Sequence, residues 1–476
     1  MISKAAARYT GAGGKEHCSL CRHFSPRRGG RCARVLGDIS PMGWCKLFSR
    51  EMRGLVADAS SFNGGGGGPA LALDFMTPGT LSPLLTFTRA STATYFDAAG
   101  VMQTAAVNAP RWDYDPGTLQ LRGLLLEDQR TNSVRNSTMV GAVPGTPGTL
   151  PTNWLLGGGA AASTQVVGTG TEAGVPYIDL RLFGTAVTTT LQMLPESTTA
   201  IPASNGQAWT ASMYFRLVAG TLNGIVSTQL AINETTAAGA GVKANFGSLT
   251  QITSAPLGSQ RLVYPITLTG GGTVGAVHPR IQWNITNGAA IDATFRIGAP
   301  QMELGDFATS YIPTSTVAVT RSIDSCLIPP ASMGWFTGPG GSWFAEFDYF
   351  DTTPTNSRVI GRPDTAGGVS PLLLNATRNI GQNDGVTLVT ANATTANAIT
   401  KACSTWAAGS SRICANGGAV ASSASLATGY GAFTASGIRF LSVGAALSAD
   451  NTSGHLRAVR YWPTVLSDAS MQAMTT

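Results

Sequence analysis

Four cysteines carry the most specific chemistry in this chain. Cys18, Cys21, Cys32 and Cys45 lie in "CSLCRHFSPRRGGRCARVLGDISPMGWC" with the spacing C-x2-C-x10-C-x12-C. Three more, Cys326, Cys403 and Cys414, are scattered towards the C-terminus. Thiolates are soft donors, and four of them so close together suit tetrahedral zinc or an iron–sulfur cluster. The N-terminus "MISKAAARYTGAGG" has no apolar core of the kind a signal peptide needs, so the chain is expected to fold in a reducing cytoplasm. There, such a set reads first as a metal site and only then as disulfides or free thiols. Spacing modestly favours zinc, yet the second CxxC or HxxxH that usually closes a zinc ribbon or finger is missing. Cys45 stands beside Trp44, Leu47 and Phe48, an apolar setting of the sort that tunes a cluster's potential. His17 and His23 flank the first pair and are read as solvated neighbours. A module of about 50 residues has too little core to fold unaided, so the metal's first task is structural.

The residues around these cysteines resemble the high-potential iron–sulfur proteins over about residues 8–50. The shared features are the CxxC pair, a third cysteine followed by Val35-x-Gly37-x-Ile39-x-Pro41, and a closing Gly43-Trp44-Cys45. The resemblance implies that Cys18, Cys21, Cys32 and Cys45 ligate a 4Fe-4S cluster, with zinc as the alternative cofactor. The segment is shorter than that compact family and unusually rich in Arg.

Charge separates this module from everything after it. Residues 1–54 hold eleven Lys/Arg and three Asp/Glu, a net of +8, so the rest holds 31 − 11 = 20 basic and 25 − 3 = 22 acidic residues, a net of −2. A basic module suits an acidic protein face or nucleic acid, but no helix-turn-helix, RNP or finger pattern supports a specific nucleic-acid reader. The stretch 59–70, with "SSFNGGGGGPA" at 60–70, reads as a Gly-rich linker, reaching about 15–20 Å for ten residues. No apolar run approaches the roughly 18 residues of a membrane span, so no membrane insertion is expected.

Beyond the linker, 58 glycines in the chain and only 12% charged residues point to short strands and many turns. "WTASMYFRL" (209–217), "RIQWNIT" (280–286) and "ATFRIGA" (293–299) alternate apolar and polar residues, the period of half-buried antiparallel strands. Breaks at "GAVPGTPGTLPTN" and across 311–341 divide the chain further. The fold class is therefore mostly β: a four-Cys module (1–58), the linker (59–70), a lead-in β segment (71–138) and two antiparallel β-sandwiches (139–320 and 321–476).

Two phrases carry a second resemblance. "LTFTRASTATYFDAAGVMQTAAVNAPRWDYDP…LRGLLLEDQRTN" (85–132) resembles a segment of tailed-bacteriophage structural proteins. "IGAPQMELGDFATSYIPTSTVAVTRSID" (297–324) resembles the exit of their carbohydrate-binding-type jelly rolls, and the remainder is similar to concanavalin-like or laminin-G-like sandwiches. This implies a virion protein assembled in the host cytoplasm, a tail fibre, spike or head decoration. Its partners would be portal, adaptor, tail or capsid proteins, further copies of itself and host-surface polysaccharide. No ligand-binding residue follows from the resemblance.

Catalytic chemistry is hard to find. Glycoside hydrolysis needs two carboxylates held across a cleft. Glu127/Asp128 sit beside Arg130, where a local salt bridge or turn is expected, and Glu346/Asp348 at i, i+2 point the same way from one strand. His278 precedes Pro279 and reads as a loop residue, and neither it nor His455 follows a G-x-S-x-G. Asp450 and Asn451 offer only two hard-oxygen donors to calcium. Trp209 and Trp283 follow the buried phase of their strands, whereas Trp335 and Trp406 are left open between packing and exposure. No enzyme is expected; the alternatives are a decoration or cement protein without glycan binding and, after it, a polysaccharide depolymerase.

Overall fold

The computed structural model describes residues 68–476 apart from short stretches (159–161, 249–251, 337–339, 353, 355–356, 363–368, 385–386, 425–429, 431–432 and 443–450), together with the backbone of two strands near the N-terminus. The chain divides into two compact units, Met1–Pro69 and Ala70–Thr476. In the first, strands Phe24–Ser25 and Arg31–Cys32 pair antiparallel, with Phe24 opposite Cys32. Cys18, Cys21 and Cys45 lie outside the described residues, and of Cys32 only the backbone is described.

The second unit is mostly β and contains two sandwiches. In the first sandwich, one sheet runs Leu155–Gly157, Thr190–Leu194, Ala276–Ile285, Ile225–Thr235 and Gly241–Phe246, with Ile201–Pro202 also on the central strand. Its partner sheet runs Ser163–Glu172, Val175–Thr185, Ala290–Leu304, Ala208–Gly220 and Arg261–Thr267. Period-2 alternation drives the packing: Ile281, Trp283 and Ile285 face Phe215, Phe295 and Ile297 across one core. Phe215 stacks on Phe295 at 5.2 Å and Trp283 leans on Phe295 at 5.5 Å. Trp209 is buried in the same core, as its strand phase requires.

The segment expected as a free-standing lead-in (71–138) does not stand alone. Leu71–Asp74 and Leu121–Leu126 both pair with Gly454–Trp462, Trp112–Tyr114 adds beyond Leu121–Leu126, and Thr86–Thr88 pairs with Ser325–Ile328. Strands this short have no stability without neighbours, so they complete both sheets of the C-terminal sandwich. One of these sheets has eight strands and the other seven. The first sandwich is thus inserted between two parts of the second.

The C-terminal core is aromatic. Trp343 and Tyr461 lie 4.9 Å apart, and Phe336 packs on Tyr461 at 5.0 Å. Trp406, 1% exposed, meets Tyr430 edge-on at 4.9 Å, and the half-buried Trp335 packs against Trp343 and Tyr461. Both tryptophans are packing residues. Trp406 faces inward with Ala402, while Cys403 of the same strand faces out, against Cys414 and Met471 of helix Asp468–Thr475. Ser467 caps that helix by accepting from the Ser470 N–H. The three scattered cysteines are buried free thiols.

A buried lattice of charge joins the sandwiches. Arg111 meets Glu127 at 2.8 Å and Asp324 at 2.5 Å, Arg89 meets Asp324 at 3.0 Å, and Arg321 meets Glu127 at 2.9 Å, with all five side chains 0–1% exposed. Spare donors are used on carbonyls: Arg89 on Ser91 and Ala106, Arg111 on Thr94, Arg321 on Asp128. Arg89, Arg111 and Glu127 come from the first distinctive phrase of the sequence, and Arg321 and Asp324 from the second. The phrases also pair directly, Arg130–Asn132 with Val319–Arg321.

Burial opposes the ionised form of Glu127, but Arg321, Arg111 and the two Ser310 donors outweigh it and hold the carboxyl at about 2. A depressed carboxylate contributes stability that is present above its ordinary value of about 4.5 and is lost as pH falls towards 2. Glu127→Gln is therefore expected to cost about 3–5 kcal/mol in urea unfolding at neutral pH, because it leaves two buried arginines short of a counter-charge. It should also flatten the loss of stability between pH 4.5 and 2; a variant within 1 kcal/mol of wild type, with an unchanged acid limb, would contradict the assignment.

Candidate functional site

Two places on the larger unit gather polar side chains without an evident structural use. The first is the outer face of the six-stranded sheet of the inserted sandwich. Because Ile281, Trp283 and Ile285 point into the core, His278, Arg280, Gln282 and Asn284 of the same strand point away from it. Register places Gln192 and Gln229 on either side of Gln282, Thr190 and Ser227 on either side of Asn284, and Asn233 opposite His278. The amides form a ladder: Gln192 donates to Gln282 at 3.2 Å, Gln282 to Asn284 at 2.9 Å, and Asn284 to Ser227 at 2.7 Å.

This face holds unmade hydrogen bonds. His278 is 1% exposed, yet neither ring nitrogen has a partner, and Asn233 Oδ1 and Arg280 Nε are likewise buried and unpartnered. Such groups are rare in folded proteins and costly. Burial, helped by Arg280 and opposed by Glu196, pushes His278 down to about 4, so the ring is neutral at pH 7. The Arg280 guanidinium lies 5.0 Å from the ring centre of Phe246, which is 40% exposed. His278 and Pro279 thus lie within a strand, where a loop was expected. The ladder on one side of that strand passes from Ile201–Pro202, opposite residues 276–277, to Thr190–Met193, opposite 281–284. Pro279 falls in the gap, where its missing N–H leaves no bond broken.

The second place is a cleft of about 480 Å³ between the two sandwiches. Hairpin Ala93–Phe96/Met102–Ala105 and residues 113–117 form one wall, Tyr214 and Arg261 of the inserted sandwich another, and Phe350, Asn397 and His455 of the C-terminal sandwich a third. His455 is the unexpected residue here. Its Nδ1 lies 2.8 Å and 3.0 Å from the two oxygens of Asp348, and its Nε2 lies 3.1 Å from Asp113. A neutral imidazole donates from one nitrogen only, so the imidazolium alone satisfies both carboxylates. Burial disfavours that charge, but Asp348 and Asp113 overcome it and raise the His455 pKa. Asp113 stands 342 residues before His455, which is why no local pattern pointed to the pair.

The carboxylates considered for hydrolysis separate. Glu127 belongs to the buried lattice, and Asp128 lies 3.7 Å from Arg130, the local bridge its neighbourhood suggested. Glu346 pairs with Arg457 at 2.7 Å while Asp348 holds His455. Among the described residues, no group of three or more His, Cys, Asp or Glu is placed to hold a metal. Asn451 is buried, and Asp450 lies outside the described residues.

A raised histidine stabilises the fold fully below its ordinary value of 6.5 and ceases to as pH climbs through the raised one. His455→Gln should cost about 3 kcal/mol at pH 6 and progressively less on the alkaline side, read from urea midpoints across pH 6–10. A pH-independent difference would exclude a charged His455.

No family model matches the chain. A 48-residue stretch, 10% of the chain, is 44% identical to an iron oxidase of Acidithiobacillus ferrooxidans, and the match spans about half (51%) of that relative's length. Solved structures with similar parts include a sialidase carbohydrate-binding module (CBM40) of Ruminococcus gnavus bound to α2,3-sialyllactose, 14% identical, covering 29% of this chain and 83% of that one at a TM-score of 0.23. A xylan-binding CBM22 domain of Paenibacillus barcinonensis is also 14% identical, covering 37% and 92% at 0.23. The enzymatically active domain of tailspike protein 4 of bacteriophage CBA120 is 12% identical, covering 32% and 19% at 0.21. These scores, well under 0.5, place the chain in none of those families; its antiparallel β-sandwich architecture stands on its own strand order.

Proposed function

We propose that this chain is a bacteriophage virion structural protein that docks on the particle through its N-terminal four-cysteine module and displays its β-sandwiches for attachment to host-surface glycan. The observation that carries the glycan reading is the outer sheet face of the inserted sandwich. Sugars are bound by side-chain amides that fork onto neighbouring hydroxyls and by aromatic faces laid on the apolar side of the ring. The ladder Gln192–Gln282–Asn284 supplies the first and Phe246, with Arg280 over it, the second. The virion reading is supported by the two phrases that resemble tailed-phage proteins.

For the module, the reading is a 4Fe-4S cluster on Cys18, Cys21, Cys32 and Cys45, holding a small basic domain together for docking on an acidic virion surface. The missing second CxxC or HxxxH of a zinc ribbon and the 44% identity to a protein named iron oxidase support iron over zinc.

Two measurements test this. Labelled full-length chain should bind host cells saturably and be displaced by purified host-surface polysaccharide, and Gln282→Ala with Asn284→Ala should weaken binding at least about tenfold in a protein that still unfolds cooperatively. Absence of binding by a folded, multivalent sample would reduce the sandwiches to decoration of the particle. Anaerobically purified chain should carry about four iron and four sulfide per molecule, lost in Cys45→Ser; stoichiometric zinc without sulfide would replace the cluster with the alternative metal.

A further inference from the structure

The cleft between the sandwiches is chemically unbalanced. Each of its carboxylates is already engaged. Asp113 accepts from the Phe96 N–H and from His455, Asp115 from the N–H groups of Gly117 and Thr118, and Asp306 from the N–H and hydroxyl of Thr352. Glu127 is held by Arg111, Arg321 and Ser310.

The cleft's cations are less well served. Arg122 reaches Asp348 only at 3.5 Å, and Asp348 already holds His455. Arg261 has no carboxylate within 4.0 Å among the described residues. It donates to the Ser212 hydroxyl at 2.9 Å and lies 5.7 Å from the ring centre of Tyr214, while its buried Nε has no partner. A half-buried guanidinium is desolvated without the planar oxygen pair that its fork fits best. Around it, the hydroxyls of Tyr95 and Tyr114 and the exposed amide of Asn397 make no hydrogen bond within the described chain, and all three border the same space.

We infer that this cleft is a second binding site, distinct from the amide-lined sheet face, and that it takes a carboxylated sugar, with the ligand's carboxylate on Arg261. The volume of about 480 Å³ exceeds what a simple carboxylic acid fills and lies within the range of pockets for ligands of oligosaccharide size. The free phenols and the amide suit hydroxyls, and the tyrosine rings offer faces to the sugar. Because the cleft's carboxylates are engaged by other donors, a ligand carboxylate supplies the planar oxygen pair that Arg261 itself lacks.

The test uses the full-length chain and calorimetry with short oligosaccharides containing galacturonic, glucuronic or sialic acid. Each is paired with its carboxyl-reduced neutral twin and with a sulfated neutral oligosaccharide. At least one acid is expected to bind about tenfold or more tightly than its twin. Arg261→Gln should erase that difference and Arg261→Lys should keep part of it, with Asn397→Ala, an exposed position, weakening binding severalfold and guarding against misfolding at Arg261. Gln282→Ala on the sheet face should leave the acid's affinity unchanged, so failure of the sheet-face reading and failure of this one are separable. Equal affinity for acid and twin, tighter binding of the sulfated sugar, binding of none at millimolar concentration, or an Arg261→Gln variant that discriminates as wild type does would each overturn the assignment.

Discussion

Three arginines and two carboxylates sealed from water set the terms for the larger unit. Taking five charges out of water is expensive, and their mutual attraction returns that cost only if geometry and supplementary hydrogen bonds are nearly complete. Most of them are made here: Arg89, Arg111 and Arg321 spend further donors on backbone carbonyls and Glu127 takes two bonds from Ser310, while the Nε of Arg111 and of Arg321 stays without a partner among the described residues. Such a lattice tolerates little sliding. It therefore fixes how the inserted sandwich sits on the C-terminal one, and with that the width of the cleft between them. His455, strung between Asp113 and Asp348, repeats the device inside the C-terminal sandwich.

What local pattern encodes, the sequence shows clearly. Alternation marked the strands around Trp209, Trp283 and Phe295, and each faces the core in the expected phase. What depends on partners far along the chain was not legible. Nothing near Leu71–Asp74 announces Gly454–Trp462 as its neighbour, so those residues read as a separate lead-in. His278-Pro279 read as a loop because proline breaks ladders, and only the change of partner strand beside it explains its place in a sheet.

The candidate sites divide in the same way. The polar faces of "RIQWNIT" are visible as an alternation, so the Gln282 and Asn284 positions were legible, though their use was not. The cleft was not legible at all. Its walls come from many separated segments, and what marks Arg261 among them is the lack of a carboxylate within reach, which only a folded neighbourhood can reveal. The two phrases noticed for their distinctiveness supply both the buried charges and much of the cleft wall, Tyr95 and Tyr114 included. They are distinctive because five buried charges must be spelled out at fixed places.

The insertion of one sandwich within the other also orders events during synthesis. The inserted sandwich is continuous in sequence, so its sheets can close as soon as Ala290–Leu304 has left the ribosome. The other sandwich must wait. Leu71–Asp74 and Leu121–Leu126 both pair with Gly454–Trp462, which follows them by more than 300 residues, and pairing at such separation is slow. Until then their apolar residues and strand edges stay open to wrong partners, including the same strands of sister chains being translated nearby. The nascent chain is thus vulnerable until Gly454–Trp462 emerges, and its assembly depends on that strand arriving before a neighbouring chain does.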